Sequence, residues 1–177
     1  MPKLPGCIFG FKPRGDEQSA RKNQAARWIK DGQSYNSYKL YEKALGCFTE
    51  AIQLDSDSAD AYYKRGQCYF ALKQYDLART DFEEASVLNP TWAYAYFERG
   101  RTYHTLNDFQ KSVDAYTKTI QLKPDFIEAY NNRGVAYWEM KQYEQAIRAH
   151  WPILRKHSRS ATTSSGWKMR TTTRTGN

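Results

Sequence analysis

Apolar and small residues recur every three or four positions along the chain, and they form pairs of short stripes. One stripe consists of Ala61, Tyr62, Gly66, Tyr69 and Leu72, and the next consists of Tyr75, Ala78, Phe82, Ala85 and Leu88. This spacing is the period of one face of an α-helix, so each stripe predicts one helix. Lys73 and Gln74 separate the two stripes. Pro90 ends the second, because the residue before a proline is pushed out of the helical region.

The whole pattern returns at a fixed interval of 34 residues. Four glycines share one register, Gly32, Gly66, Gly100 and Gly134, and four tyrosines share another, Tyr35, Tyr69, Tyr103 and Tyr137. A fixed period of this length is the signature of a repeat array. Each helix of roughly 12–15 residues is marginal alone in water, so it needs neighbours. We expect the small residues Gly66 and Ala78 to let two helices approach closely, with large rings filling the space around them.

A leader rich in proline and glycine, residues 1–15, comes before the repeats and is expected to be flexible. Asp16 is suited to cap the first helix, because its side-chain oxygen can accept hydrogen bonds from free backbone N–H groups. Glu17 follows in the first turn, where negative charge suits the helix dipole. The sequence therefore predicts a first helix from Asp16 to about Ser37.

The net charge of +8 lies in the two ends of the chain. Residues 1–24 carry five basic and two acidic residues, net +3, and residues 151–177 carry six basic and no acidic residues, net +6. Residues 25–150 carry sixteen basic and seventeen acidic residues, net −1. The repeats therefore lack the basic excess that is the footprint of nucleic-acid binding.

The sequence carries no sign of export or of a membrane span. No apolar run approaches the ~20 residues that cross a bilayer, and the apolar patch at residues 7–11 is too short for a signal peptide. We expect a cytoplasmic protein, with the nucleus as the alternative. Cys7, Cys47 and Cys68 are too few and too irregular for a disulfide framework or a zinc site. Cys47 and Cys68 are expected to be reduced and packed inside helices.

Candidate catalytic chemistry is sparse. The chain has no HExxH, no CxxC and no glycine-rich phosphate loop. Asp81, Glu83 and Glu84 cluster on one predicted helix, where we expect a solvated surface rather than an acid/base pair in a shielded cleft. His104 is expected to be a surface or partner-contact residue, with a catalytic role as the alternative. We therefore expect no enzyme activity, no cofactor and no bound metal.

The full motif of one period is a large ring, a glycine four residues later, a tyrosine three after that, then small and aromatic residues in alternation, and a proline at the end. The second repeat supplies Tyr62, Gly66, Tyr69, Ala78, Phe82, Ala85 and Pro90. The first has Ser56 at the proline position, and the third has Ser112 and Thr119 at two small positions. This motif resembles the tetratricopeptide repeat family. The resemblance implies an all-α fold, an α-solenoid of stacked antiparallel helix pairs that forms a right-handed superhelix with a concave groove.

The array is predicted to span residues 16–151, with repeats at 25–58, 59–92, 93–126 and an incomplete fourth at 127–151. Within the fourth, His150 stands where a ring is expected. Pro152 falls near the middle of the second helix, where a proline costs about 3 kcal/mol or more. We expect that helix to end near His150, and residues 152–177, basic and rich in Ser and Thr, to be disordered. The abrupt departure also predicts a truncated or frame-altered piece of a longer array.

The resemblance implies a binding face as well, because in this family the first helix of each pair lines the groove. The implied contact residues are Tyr63, Lys64, Gln67, Phe70, Tyr94, Phe97, Arg101, His104, Asn131, Asn132 and Trp138. Exposed rings rimmed by polar groups mark interaction sites, so we expect these rings to lie outside the core. The alternative is that some of them pack between adjacent repeats. The leading interpretation is a non-enzymatic adaptor or scaffold that binds a peptide or helix of a partner protein.

One subfamily binds the acidic tails of heat-shock chaperones through a clamp of Lys, Asn and Arg residues. The matching positions here are Ile29, Gln33, Lys64, Tyr94 and Glu98 in one register, and Tyr63, Gln67, Glu98, Glu128 and Asn132 in the next. The resemblance therefore predicts that the chain does not bind chaperone tails.

Other interpretations stay open. The basic ends favour association with nucleic acid or an anionic surface as an alternative function, and a fragment of a larger repeat-containing enzyme is another. Self-association through the uncapped fourth repeat is a further expectation. Arg65, Arg99 and Arg133 each precede a glycine. We interpret them as a structural row on the helix face, with a phosphate-binding row as the alternative.

Overall fold

A computed structural model describes residues 15–149 of the chain. Its helices are α1 (Gly15–Ser37), α2 (Tyr41–Leu54), α3 (Ala59–Ala71), α4 (Tyr75–Leu88), α5 (Ala93–Thr105), α6 (Phe109–Leu122), α7 (Ile127–Glu139) and α8 (residues 143–149). Across this described range no residue is in a β-strand, so the predicted all-α class is confirmed. The predicted tail, residues 152–177, and all of the predicted leader except Gly15 lie outside the described residues.

The chain divides into two compact units, Met1–Pro90 and Thr91–Asn177. In the first unit α1 packs on α2, α2 on α3, and α3 on α4. In the second unit α5 packs on α6, and α6 on α7. Turns of only three residues join the helices of a pair, so each pair is an antiparallel helical hairpin. The two predicted helices of the second repeat are confirmed at α3 and α4, and the predicted first helix begins one residue early, at Gly15.

Close approach within each pair depends on glycine. A Cβ at Gly66 would lie 2.9 Å from the ring of Phe82, and one at Gly100 would lie 2.8 Å from the ring of Tyr116. Both rings are almost completely buried, so they have no space into which to move. The predicted role of Gly66 in bringing two helices together is therefore confirmed.

The turn inside each pair adopts one backbone conformation, repeated four times. Lys39, Lys73, Asn107 and Lys141 have φ values of 60°, 62°, 61° and 59°. At Lys73 the N–H bonds the carbonyl of Phe70 at 3.0 Å, and the next N–H, of Gln74, bonds the carbonyl of Tyr69 at 2.9 Å. This is the Schellman arrangement that ends a helix with a left-handed residue.

Small residues and single large rings form the core of the first unit. Ala25, Ala51 and Ala61 make one buried cluster across α1, α2 and α3, and Ala44, Phe48 and Cys68 make another. Cys47 and Cys68 are buried free thiols, as expected for packed residues. Burial raises the pKa of Cys68 to about 11, so the thiol stays protonated at neutral pH.

Neither a membrane helix nor a metal site is evident in the described range. Between residues 15 and 149 no helix is long and apolar enough to cross a bilayer. In the same range, no three His, Cys, Asp or Glu side chains are grouped so that they could hold a metal ion.

Candidate partner-binding face

The predicted contact residues lie on the first helix of each pair, α3 in the first unit and α5 and α7 in the second. We call the exposed sides of α5 and α7, both in the second unit, the partner face. On α3, Tyr63, Lys64, Gln67 and Phe70 are all half-buried. The ring of Tyr63 meets Phe82 edge-on at 5.7 Å, and the ring of Phe70 meets Tyr75 at 5.2 Å. Both rings therefore pack against α4, the second helix of their own pair. Only part of the surface of each ring stays exposed.

Lys64 is the charged member of the α3 set. Its Nζ lies 3.4 Å from the Oδ1 atom of Asp60, one helical turn earlier. Such a pair on a helix surface contributes about 0.3–0.5 kcal/mol. The pair is weak enough for an incoming carboxylate to compete for the lysine.

Two rings of the second unit are well exposed. Tyr94, at the start of α5, keeps 45% of its surface accessible, and Trp138, near the end of α7, keeps 62%. The ring of Trp138 contacts Tyr143 of α8 at 4.8 Å. These two side chains offer the largest accessible aromatic surface on the partner face.

Phe97 departs from the expectation that these rings lie outside the core. Its ring lies 4.7 Å from Phe126 and 5.7 Å from Tyr116. It packs against the buried cluster of Tyr116, Phe126 and Ala129. The sequence spacing predicts which face of α5 carries Phe97. It does not predict that Phe126, in the connection before α7, packs against the Phe97 ring.

Two residues missed by the sequence interpretation, Lys123 and Phe126, hold Tyr94 in place. The Nζ atom of Lys123 donates to the Tyr94 hydroxyl at 3.1 Å, and this hydrogen bond raises the pKa of the lysine. Phe126 meets the Tyr94 ring edge-on at 5.1 Å. The sequence offers only a partial signal, because Trp92 stands 34 residues before Phe126 but the position 34 residues before Trp92 is Ser58.

Arg101 and Glu98 form the main charged pair on α5. The Nη1 atom of Arg101 lies 2.8 and 3.1 Å from the two carboxylate oxygens of Glu98. The glutamate side chain is only 13% exposed and the arginine 41%. Burial raises the pKa of Glu98, and the nearby guanidinium opposes that rise. The exposed part of Arg101 therefore carries a charge that Glu98 already partly neutralises.

The two asparagines of α7 have different environments. Asn132 is half-buried and hydrogen-bonds the Tyr116 hydroxyl, whose pKa burial raises to about 12. Asn131 is exposed. An exposed primary amide offers both a donor and an acceptor to a peptide backbone, so Asn131 suits that role better than Asn132.

His104 is half-buried near the end of α5, and its ring meets Phe109 edge-on at 5.3 Å. Its Nε2 atom is buried and has no hydrogen-bond partner among residues 15–149.

Among the predicted contact residues, the structure brings Tyr94 and Phe97 together around Phe126. His104 and Trp138 instead make ring contacts with the first residues of α6 and α8.

Within the arginine row, Arg65 has a structural role. Its Nη2 and Nε atoms bond the two Asp81 oxygens at 2.7 and 2.8 Å, and its Nη1 atom lies 3.4 Å from Thr49 Oγ1. The expectation that Asp81 is solvated surface is wrong, because only 3% of it is exposed. Burial raises the Asp81 pKa and the guanidinium opposes that rise. In the second unit Arg133 donates to Thr117 Oγ1 at 3.2 Å.

Comparison with known proteins identifies the repeat. A TPR repeat family model matches residues 32–73 and 100–141, and a tetratricopeptide repeat model matches residues 59–91. No curated protein matches the chain by sequence.

Solved structures share the fold. A crystal structure of MamA is 31% identical, with a TM-score of 0.74, over 81% of this chain and 84% of that one. A second MamA structure is 29% identical, with a TM-score of 0.76, over 85% and 82%. The first TPR of Spaghetti (RPAP3), bound to the HSP90 peptide SRMEEVD, is 24% identical, with a TM-score of 0.67, over 68% and 95%. At this last identity the likeness concerns the fold alone.

Proposed function

Because the chain belongs to the tetratricopeptide repeat family, we propose that it is a non-enzymatic adaptor that holds a peptide or helix of a partner protein on its partner face. The observation that carries the proposal is the exposure of Tyr94 and Trp138, at 45% and 62%, on the first helices of the second unit. Tyrosine and tryptophan dominate binding hot spots, because they bury a large area with few rotatable bonds.

The chemistry around these rings indicates the kind of partner. Tyr94 is fixed by its hydrogen bond to Lys123 and its contact with Phe126. A ring fixed before binding loses little conformational entropy when a ligand packs on it. The exposed amide of Asn131 can pair with a peptide backbone. We infer a partner segment with apolar or aromatic side chains, whose backbone is within reach of α7.

The fold itself is compatible with this role, since the first TPR of Spaghetti (RPAP3) is bound to an HSP90 peptide. For the present chain we propose a different ligand class. The positions that match the clamp carry the acidic Glu98 and the aromatic Tyr94. Glu98 would repel the carboxylates of an acidic tail, and its own cation, Arg101, is already paired with it. Acidic chaperone tails are therefore disfavoured.

A peptide-display selection tests the proposal with the full chain as bait. Three baits are compared, the wild type, Tyr94→Ala and Tyr38→Ala. Tyr38 is 74% exposed and follows α1, outside the partner face. We expect peptides with apolar or aromatic side chains to be enriched on the wild type and on Tyr38→Ala, and to be lost from Tyr94→Ala. Equal enrichment on all three baits, or none on the wild type, would contradict the proposal.

The alternative function through the basic ends has its own readout. A labelled single-stranded RNA is offered to the same baits at ~50 and ~300 mM salt, a span over which phosphate contacts lose most of their affinity. RNA held at low salt only, equally by every bait, together with no enriched peptide, would favour the basic ends over the partner face.

A further inference from the structure

The last described helix, α8, exposes an apolar stripe. Tyr143 and Ile147 are four residues apart, so they share one side of the helix. Their exposed fractions are 49% and 68%. Ala146 and Ala149 point inward and are buried, at 5% and 3%. We call the exposed stripe of Tyr143 and Ile147 the C-terminal face.

Earlier repeats show what these positions do. In the first repeat the matching residues are Tyr41 and Leu45. Both pack against the cluster that contains Cys68, a residue of the next first helix, α3. In the third repeat the residue that matches Ile147 is Val113, and only 3% of it is exposed. The first repeat therefore uses this stripe to pack on the next first helix, and the third repeat buries its apolar residue, whereas the second repeat carries Arg79 at this position. At α8 the apolar stripe is exposed.

The first helix of the chain, α1, has a different surface. Ala61, Ala95 and Ala129 share one register and are fully buried, and so are Cys68, Thr102 and Ala136 in another. On α1 the two matching positions carry Arg27 and Ser34, and both are exposed. Covering α1 with an apolar surface would bury the Arg27 guanidinium away from water, and burying an unpaired charge costs much free energy. Head-to-tail stacking of copies is therefore disfavoured.

The charges beside the C-terminal face suit a second copy of the same face. Glu144 and Arg148 are four residues apart, next to Tyr143 and Ile147 on α8. If two α8 helices lie antiparallel about a two-fold axis, Glu144 of each copy faces Arg148 of the other. The same axis sets each Tyr143 against the other Ile147. A two-fold contact needs this kind of self-complementary surface.

From these observations we propose that two copies of the chain associate through the C-terminal face, with their α8 helices antiparallel. The two faces meet where Tyr143 contacts Trp138. The test therefore changes Ile147 and Arg148, which are not on the partner face.

Analytical ultracentrifugation of the full chain tests it, across ~1 to ~100 µM, a range that detects a micromolar dissociation constant. Salt of ~0.3 M weakens repulsion between the basic ends. We expect a mass that approaches twice 20.7 kDa and goes no higher. Ile147→Glu should give a monomer throughout. Val87→Glu is the matched control, because Val87 is also 68% exposed and lies on α4. This variant should dimerise like the wild type.

A charge exchange separates the antiparallel arrangement from other contacts. Arg148→Glu sets two acidic residues against each other and should weaken the dimer about tenfold or more. Adding Glu144→Arg to the same chain should restore the dimer, because a basic residue at position 144 of each copy then faces an acidic residue at position 148 of the other. Three results would overturn the proposal, namely a monomeric wild type at ~100 µM, a mass that climbs beyond the dimer, or an Ile147→Glu variant that still dimerises.

Discussion

At the scale of single residues, the contact between a glycine and one ring decides how closely the helices of a pair pack. Gly32 faces Phe48, Gly66 faces Phe82 and Gly100 faces Tyr116, each with a ring atom less than 3 Å from the position of a Cβ. In a helix, glycine is worse than alanine by about 1 kcal/mol. The chain accepts that penalty where no larger residue fits.

Replacing Gly66 by alanine should therefore destabilise the fold, although alanine is the better helix former. The new Cβ would lie 2.9 Å from Phe82 and 3.2 Å from the Cβ of Asp81. Overpacking of this kind costs about 1–3 kcal/mol. Gly46→Ala is the control, because nothing lies within 4 Å of its Cβ position. It should stabilise by about 0.5–1 kcal/mol. Urea unfolding of both variants measures the difference, and a gain at both positions would contradict the packing role.

Glu98 should make stability depend on pH. Burial raises the pKa of Glu98 in the folded chain. The stability that this raised pKa contributes is therefore fully present below the ordinary glutamate pKa of about 4.3, and it is lost as pH rises through the raised pKa. Urea unfolding at several pH values measures the free energy of unfolding of the wild type and of Glu98→Gln. The wild-type value minus the variant value should fall as pH rises. A difference that grows with pH would mean that the pair with Arg101 outweighs burial.

At the scale of elements, each helix pair depends on a turn that favours glycine but carries none. Lysine occupies the left-handed position in three of the four turns, and asparagine occupies it in the other. A left-handed backbone costs a residue with a Cβ about 1–2 kcal/mol, and asparagine tolerates it better. The hydrogen bonds that end α3 hold Lys73 in this conformation.

Lys73→Gly should stabilise the chain by about 1 kcal/mol, because glycine adopts a φ of 62° without strain. Asn107→Gly is the comparison at the matching turn, and its gain should be smaller. Thermal and urea unfolding of both variants give the two values. A loss of stability in Lys73→Gly would mean that the lysine side chain makes a stabilising contact that outweighs the strain.

The helix boundaries follow from the sequence more readily than the turn geometry does. Pro90 and the Lys73–Gln74 interruption indicate where α4 and α3 end. The left-handed φ of Lys73 could not be predicted, because lysine has no preference for it and the hydrogen bonds with Phe70 and Tyr69 impose it.

At the scale of the whole molecule, the 34-residue recurrence predicts the repeated helix pairs because every repeat faces the same packing problem. The site is less predictable, since its details differ between repeats. Asp81 has alanine at the matching position 115, so periodicity could not show that it pairs with Arg65. The rings of Phe97 and Tyr94 likewise pack against Phe126, a residue of the connection before α7, and the periodicity does not predict these contacts.

The central claim is that exposed rings of the partner face bind a peptide, and a titration tests it most directly. A peptide enriched in the display selection is labelled, and its anisotropy is followed against the wild type, Tyr94→Ala, Trp138→Ala and Tyr38→Ala, each first shown to be helical. We expect Tyr94→Ala and Trp138→Ala each to weaken binding about 30-fold, since a hot-spot ring contributes about 2 kcal/mol. Tyr38→Ala should bind like the wild type. Equal affinity of all four proteins would contradict the claim.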